Sequence, residues 1–123
     1  MGNKKILVVE DDRDVRLGYH ARLKANQYDT FFAADALTSI SEARKHQPDL
    51  IILDLGLPGG DGFVVMDRLK ANMDLAMIPV IVVTADCNAN RYRALDAGAK
   101  AFLQKPVDTE ELMGAIRQCL GEK

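Results

Sequence analysis

Four apolar runs along the chain each stop at a polar group with chemistry to offer. Ile6-Leu7-Val8-Val9 ends at Glu10-Asp11-Asp12, Leu50 to Leu53 at Asp54, Val80 to Val83 at Thr84, and Ala101-Phe102-Leu103-Gln104 at Lys105. Short runs rich in Val, Ile and Leu, separated by segments of helical period, predict buried parallel strands. The strands expected are 5–9, 29–33, 50–53 closing in Asp54, one beginning after Pro79 and ending at Thr84, and a fifth leading to Lys105-Pro106. Between them, Val15, Tyr19 and Leu23 recur at four-residue spacing and predict a helix over 13–25. A second helix, 36–46, is expected to turn Leu37, Ile40 and Ala43 to one face and to stop before Pro48. A third carries Phe63, Met66 and Leu69, and a more polar fourth, 88–97, stops at Gly98. The last opens at Asp108, with Glu111 three residues on as a variant of the capping box, and turns Leu112, Ile116 and Cys119 inward. Met66, Met73 and Met77 read as packing residues. Pro58-Gly59-Gly60-Asp61-Gly62 reads as a turn that shapes the loop after Asp54. Strand and helix alternate five times, which predicts an α/β fold with a doubly wound parallel sheet.

In such a sheet, ligands bind outside the carboxyl ends of the strands. The acids, the hydroxyl and the ammonium that end the runs are therefore expected to converge on one pocket. Asp12 reads first as a solvated residue or helix cap. His20 and His46 lie on helices without a metal-ligand pattern and read as surface residues.

At 123 residues and 48% hydrophobic, the chain suits one domain over 1–123, with a core that needs neither a metal nor a disulfide. Cys87 and Cys119 lack CxxC spacing and read as reduced thiols, which fits a cytoplasmic location. The basic start, Lys4-Lys5, precedes an apolar run too short for a signal-peptide core, and no run approaches a membrane span. A formal net charge of −2 and no basic block give no sign of a phosphate-backbone binder, so direct nucleic-acid binding is not expected.

Four segments carry a family resemblance: ILVVEDD at 6–12, LDLGLPGGDGF at 53–63, VVTAD at 82–86 and KPVD at 105–108. Through them the chain resembles, from end to end, the receiver domain of two-component response regulators, including the single-domain chemotaxis receiver. The resemblance implies a flavodoxin-like fold with five strands in the order 2-1-3-4-5 and helices on both faces. It implies that Asp54 accepts a phosphoryl group from a histidine kinase or a histidine phosphotransfer protein. Thr84 and Lys105 would contact that group. Glu10 and Asp11 would help hold Mg2+, together with Asp54 and the backbone carbonyl of Gly56, Glu10 acting through water. Thr84 and Phe102 would form the switch, and Gly56 and Asp86 would tune phosphorylation and hydrolysis. Phe102 lacks the hydroxyl of a tyrosine, so coupling through it is expected to depend on packing. The domain would catalyse its own phosphorylation and slow dephosphorylation without turning over a separate substrate.

The residue types fit these roles. Clustered carboxylates raise one another's pKa values unless a cation holds them ionised. Mg2+ prefers oxygen ligands and commonly takes one or two carboxylates plus a phosphate oxygen. Phosphoryl transfer asks mainly for alignment and charge stabilisation, which a carboxylate nucleophile, a metal and an ammonium supply.

Readings from other classes fit less well. A flavodoxin-like cofactor carrier would not place Glu10-Asp11-Asp12 where a phosphate must sit. A haloacid-dehalogenase-type phosphatase expects a second Asp two after its nucleophile, where Gly56 stands. A histidine phosphotransfer protein is a helical bundle. A docking module of the same fold, indifferent to phosphate, is the remaining alternative. The chain stops just after its last helix, so it is expected to be a stand-alone receiver or one excised from a larger protein. Gly98 to Phe102 lacks the paired acids usual in receivers of the winged-helix transcription-factor class. Arg91, Tyr92 and Arg93 are candidates for a partner surface, within a wider face made of the fourth helix, fifth strand and fifth helix.

Overall fold

The computed structural model describes residues 2–56, 62–85 and 87–122, with backbone alone for 87–90. Strands β1 (Lys5–Val9), β2 (Asp29–Ala33), β3 (Leu50–Asp54), β4 (Val80–Thr84) and β5 (Ala101–Gln104) alternate with helices α1 (Arg13–Ala25), α2 (Ala36–His46), α3 (Gly62–Ala71), α4 (Cys87–Asp96) and α5 (Thr109–Leu120). All strand pairs are parallel, in the order β2-β1-β3-β4-β5. Strand positions match the sequence reading, and α4 is shifted one residue towards the N-terminus.

Successive strand residues point to opposite faces, and both faces are covered. Leu7, Val9, Ile51, Leu53 and Val82 pack on one side with Ala36, Ala43, Phe63, Met66, Leu69 and Ala94 from α2, α3 and α4. On the other, Ile6, Val8, Leu50, Ile52, Ile81 and Val83 meet Tyr19, Leu23, Leu112 and Ile116 from α1 and α5. β3 and β4 are thus apolar at every position until their last residue, and β1 is apolar from Ile6 to Val9, with Glu10 following. That polar end is where the sheet stops being covered.

Helix ends follow local chemistry. Asp12 caps α1 by accepting from the amides of Asp14 and Val15. Gly98, at φ +106°, closes α4, its amide bonding to Leu95 O and that of Ala99 to Ala94 O. The same closure ends α1 without a glycine. Gln27 takes φ 68° while its amide reaches Lys24 O and that of Tyr28 reaches Leu23 O. Sequence reading missed it because Gln carries no stop signal.

Four expectations are corrected. Leu37 does not face inward with Ile40 and Ala43 but is 73% exposed, because α2 turns Ala36, Ser39 and Ala43 to the sheet. Ser39 is tolerated there because its hydroxyl bonds back to Ala36 O at 2.6 Å. Met73 and Met77 do not pack either, at 93% and 89% exposed; Leu75 anchors that segment instead. Asp108 caps α5 by position without a side-chain hydrogen bond, so the capping box does not form, although Glu110 and Glu111 still suit the positive end of the helix. His46 is not a plain surface residue: it stacks on Phe31 at 3.9 Å between ring centroids and lies 3.1 Å from Glu42.

Cys119 is a half-buried free thiol, and the Cys87 side chain lies outside the described set. Among the described residues, no helix is long and apolar enough to cross a membrane.

Candidate phosphoacceptor site

The register builds the site. Val9 of β1 stands opposite Leu53 of β3, so Glu10 and Asp54 follow side by side where the two central strands end. Strand order reverses between β1 and β3, where open α/β sheets bind ligands. Asp54 in turn stands opposite Val83, one residue before Thr84, and Thr84 stands opposite Gln104, one before Lys105. A backbone bond from Lys105 N to Thr84 O, 2.9 Å, ties these last two ends together.

Lys105 Nζ is the hub. It donates to Glu10 Oε1 at 2.7 Å and to Asp54 Oδ2 at 3.0 Å, with Glu10 almost wholly buried. Asp54 Oδ1 accepts from the Gly56 amide at 3.0 Å, so both carboxylate oxygens are held. Oxygens of Glu10, Asp11 and Asp54 all lie within 4.8 Å of one another, with Asp11 exposed at the rim. A Cβ on residue 56 would sit 3.8 Å from Asp54 Oδ1, so Gly56 leaves the space beside that oxygen open. Thr84 is buried at the end of β4. Phe102, half-buried on β5 opposite Val82, packs against the α2–α3–α4 side of the core. Asp86 and the turn residues 58–61 lie outside the described residues.

The three charges settle unequally. Burial pushes Glu10 up to about 7; its bond from Lys105 offsets only part of this, while Asp54 and Asp11 add to it. Burial also works against the Asp54 carboxylate. The Gly56 amide, a hydrogen bond shared with Glu10 and the Lys105 ammonium nevertheless hold it below the ordinary Asp range. Desolvation would lower Lys105, but its two carboxylate partners raise it instead. The sequence reading had carboxylates raising one another until a metal arrives. Lys105 lowers both Glu10 and Asp54; the two part because burial dominates at Glu10, while the Gly56 amide adds to the lowering at Asp54.

This donor set fits Mg2+. Three carboxylates converge on one opening, and an octahedral ion with bonds of about 2.1 Å spaces its ligand oxygens roughly 3 to 4 Å apart. Around the site, α1 supplies two arginines that hold backbone rather than acids. Arg16 bonds the carbonyls of Glu10 and Asp11, and Arg22 that of Val107, just past Lys105. Neither was legible in the sequence, where an arginine on a polar helix face looks solvated. Arg93, a candidate for a partner surface, lies with its guanidinium 3.8 Å from the Phe63 ring centroid, while Tyr92 is left exposed.

Residues 6–117 match the response regulator receiver domain family, and the chain belongs to that family. It is 40% identical over 115 residues to the response regulator PleD of Caulobacter vibrioides, covering 92% of this chain and 25% of that protein. It is 37% identical over 117 residues to the DNA-binding dual master transcriptional regulator RpaA of Synechocystis sp., covering 94% of this chain and 48% of that protein. The chain therefore spans a quarter to about half the length of these relatives. The expectation that nucleic acid is not a direct partner finds no support in them. Among solved structures, the receiver domain of the sensor histidine kinase PA1611 from Pseudomonas aeruginosa PAO1 superimposes with a TM-score of 0.90 at 27% identity, covering 98% of this chain and all of that one. That crystal structure holds a magnesium ion coordinated in the active site cleft.

Proposed function

We propose that residues 1–123 act as one receiver that takes a phosphoryl group onto Asp54 from a phosphohistidine donor and thereby changes a protein-binding surface. The observation that carries this reading is the pairing of Lys105 with Asp54 at 3.0 Å, which adds to the Gly56 amide and Glu10 in holding a half-buried carboxyl below the ordinary Asp range where the strands end. An ionised Asp54 oxygen attacks phosphorus in line with the departing imidazole nitrogen. The O–P bond forms, the N–P bond breaks, and the imidazole leaves with the electron pair. Lys105 then has a phosphoryl oxygen as a partner in place of carboxylate, and the Thr84 hydroxyl supplies a hydrogen bond to another.

Mg2+ is the cofactor of this reading, held by Asp11, Asp54 and the Gly56 carbonyl, with Glu10 acting through water. When bound, it supplies positive charge that offsets the carboxylates and the incoming phosphoryl oxygens. The magnesium ion in the related receiver domain supports this, as does the convergence of three carboxylates here.

The output face is α4, β5 and α5. Thr84 drawn towards the phosphoryl group shifts an equilibrium in which Phe102 packs further inward. Gly56 and Asp86 tune the lifetime of the phosphorylated state. The partners are a histidine kinase or histidine phosphotransfer protein upstream and a protein target downstream, in the cytoplasm.

Beryllium trifluoride, a tetrahedral mimic of the phosphoryl group that adds to carboxylates, tests the reading. With Mg2+ it should shift the amide resonances of residues 84, 85 and 101–105 together, and Asp54→Asn should abolish the shifts. Shifts that persist in Asp54→Asn would place the acceptor elsewhere.

A further inference from the structure

Arg16 does something the charge of the site does not call for. Its Nη1 donates to Glu10 O and to Asp11 O, each at 2.9 Å. Those carbonyls belong to the two peptide units that flank the Asp11 Cα, so a single planar guanidinium grips the backbone on both sides of that residue. The rest of the loop is pinned by its own neighbours. Glu10 N bonds Ala33 O at 3.0 Å, Asp12 N reaches Glu10 Oε2 at 3.3 Å, and the Asp12 side chain caps α1. Asp11 is the exposed member of the acidic cluster, at its rim. Its direction is set by the backbone beneath it, and Arg16 holds that backbone.

We infer that Arg16 is a positioning residue for the divalent cation: it fixes the torsions of Asp11 so that the carboxylate is already turned towards Glu10 and Asp54 before the ion arrives. The inference rests on the metal reading above. Arg16 forms no ion pair among the described residues. Its guanidinium is half-buried on α1, directed at carbonyls, while Lys105 does the neutralising.

Two explanations for a cation at this place predict opposite signs. If Arg16 mattered only as a charge, removing it beside a metal site would relieve repulsion and tighten binding. If it is a clamp, removing it frees the Asp11 backbone and weakens binding. Losses of about tenfold are typical when a group that orients a ligand is removed.

The test measures Mn2+ affinity by water-proton relaxation in wild type, Arg16→Met, Arg16→Lys and Arg13→Met, well below each melting temperature. Arg13 is exposed in the first turn of the same helix, so its loss is the charge control. Expected are weakening of about tenfold in Arg16→Met, a smaller loss in Arg16→Lys, and no weakening in Arg13→Met. Amide exchange in metal-free Arg16→Met should quicken at Asp11 and Asp12 while the strands stay protected. Unchanged or tighter binding in Arg16→Met, or equal weakening in Arg13→Met, overturns the clamp. A wild type that binds no Mn2+ overturns the metal reading itself, and the inference with it. Should Arg16→Met fail to fold, Arg16→Lys decides on the same readouts.

Discussion

Lys105 Nζ lies 3.0 Å from Asp54 Oδ2 while holding Glu10 Oε1 at 2.7 Å, so one ammonium from the end of β5 serves two carboxylates from the ends of β1 and β3. Removing one member of a buried charge group leaves the others uncompensated. Lys105→Met should therefore destabilise the metal-free fold by about 2 kcal/mol. Mg2+ should recover more stability in this variant than in wild type, since the ammonium no longer competes for the acids. Thermal melts with chelator and with Mg2+ check both parts. An unchanged metal-free melting temperature contradicts the hub role of Lys105.

Glu10 gives a pH dependence of definite sign. Its pKa rises from 4.5 to about 7 on folding, so between those values the folded chain holds a proton that the unfolded chain has lost. The stability it contributes is fully present below 4.5 and is lost as pH rises through about 7. Asp54, shifted downward, loses its contribution only on the acid side of its usual range, outside this window. In chelator, the melting temperature of wild type should fall relative to Glu10→Gln between pH 5 and pH 8. Parallel curves would show that Glu10 is ionised throughout.

Gly62 opens α3 against the end of β3. A Cβ there would meet Leu55 Cα at 2.7 Å and Asp54 O at 3.0 Å, backbone atoms that cannot swing aside. Gly62→Ala should cost about 2 kcal/mol, as overpacking does, and should disturb the strand end that presents Asp54. Denaturant unfolding reads the first effect. The Asp54 amide resonance reads the second, and wild-type values for both would exclude a close approach.

Gln27 holds a left-handed conformation, φ 68°, at the end of α1. Glycine adopts it without steric cost, and the closing bonds are backbone bonds that any residue keeps. Gln27→Gly should stabilise the protein by about 0.5 kcal/mol, despite the extra freedom it gives the unfolded chain. Loss of stability in urea melts would mean the Gln27 side chain matters more than its backbone.

Phe102 bears on signalling rather than on chemistry. Phe102→Ala should leave phosphoryl acceptance intact and weaken the response of the face made by α4, β5 and α5. Amide exchange before and after phosphorylation compares the two proteins. Identical responses would remove Phe102 from the switch.

The sheet was legible because β1, β3 and β4 are buried on both faces, which leaves apolar runs that each stop at a polar residue. Glu10, Asp54, Thr84 and Lys105 were legible for the same reason, since a parallel sheet brings such ends to one edge. Side-chain facing on the helices was harder to read. Leu37 looked like core, but the helix that carries it reaches the sheet through Ala36, Ser39 and Ala43. Met73 looked like packing because an apolar residue after a helix has no period to give its direction. Arg16 stayed hidden because its partners are backbone carbonyls, present at every position and invisible in a sequence.

Asp54 as the acceptor is the claim on which the rest depends. The most direct test is intact mass after incubation with acetyl phosphate, with and without Mg2+, for wild type and Asp54→Asn. One phosphoryl adduct that requires both Mg2+ and Asp54 is the predicted result. An adduct of the same yield on Asp54→Asn, or no adduct on wild type from either acetyl phosphate or a phosphorylated histidine protein, would contradict it.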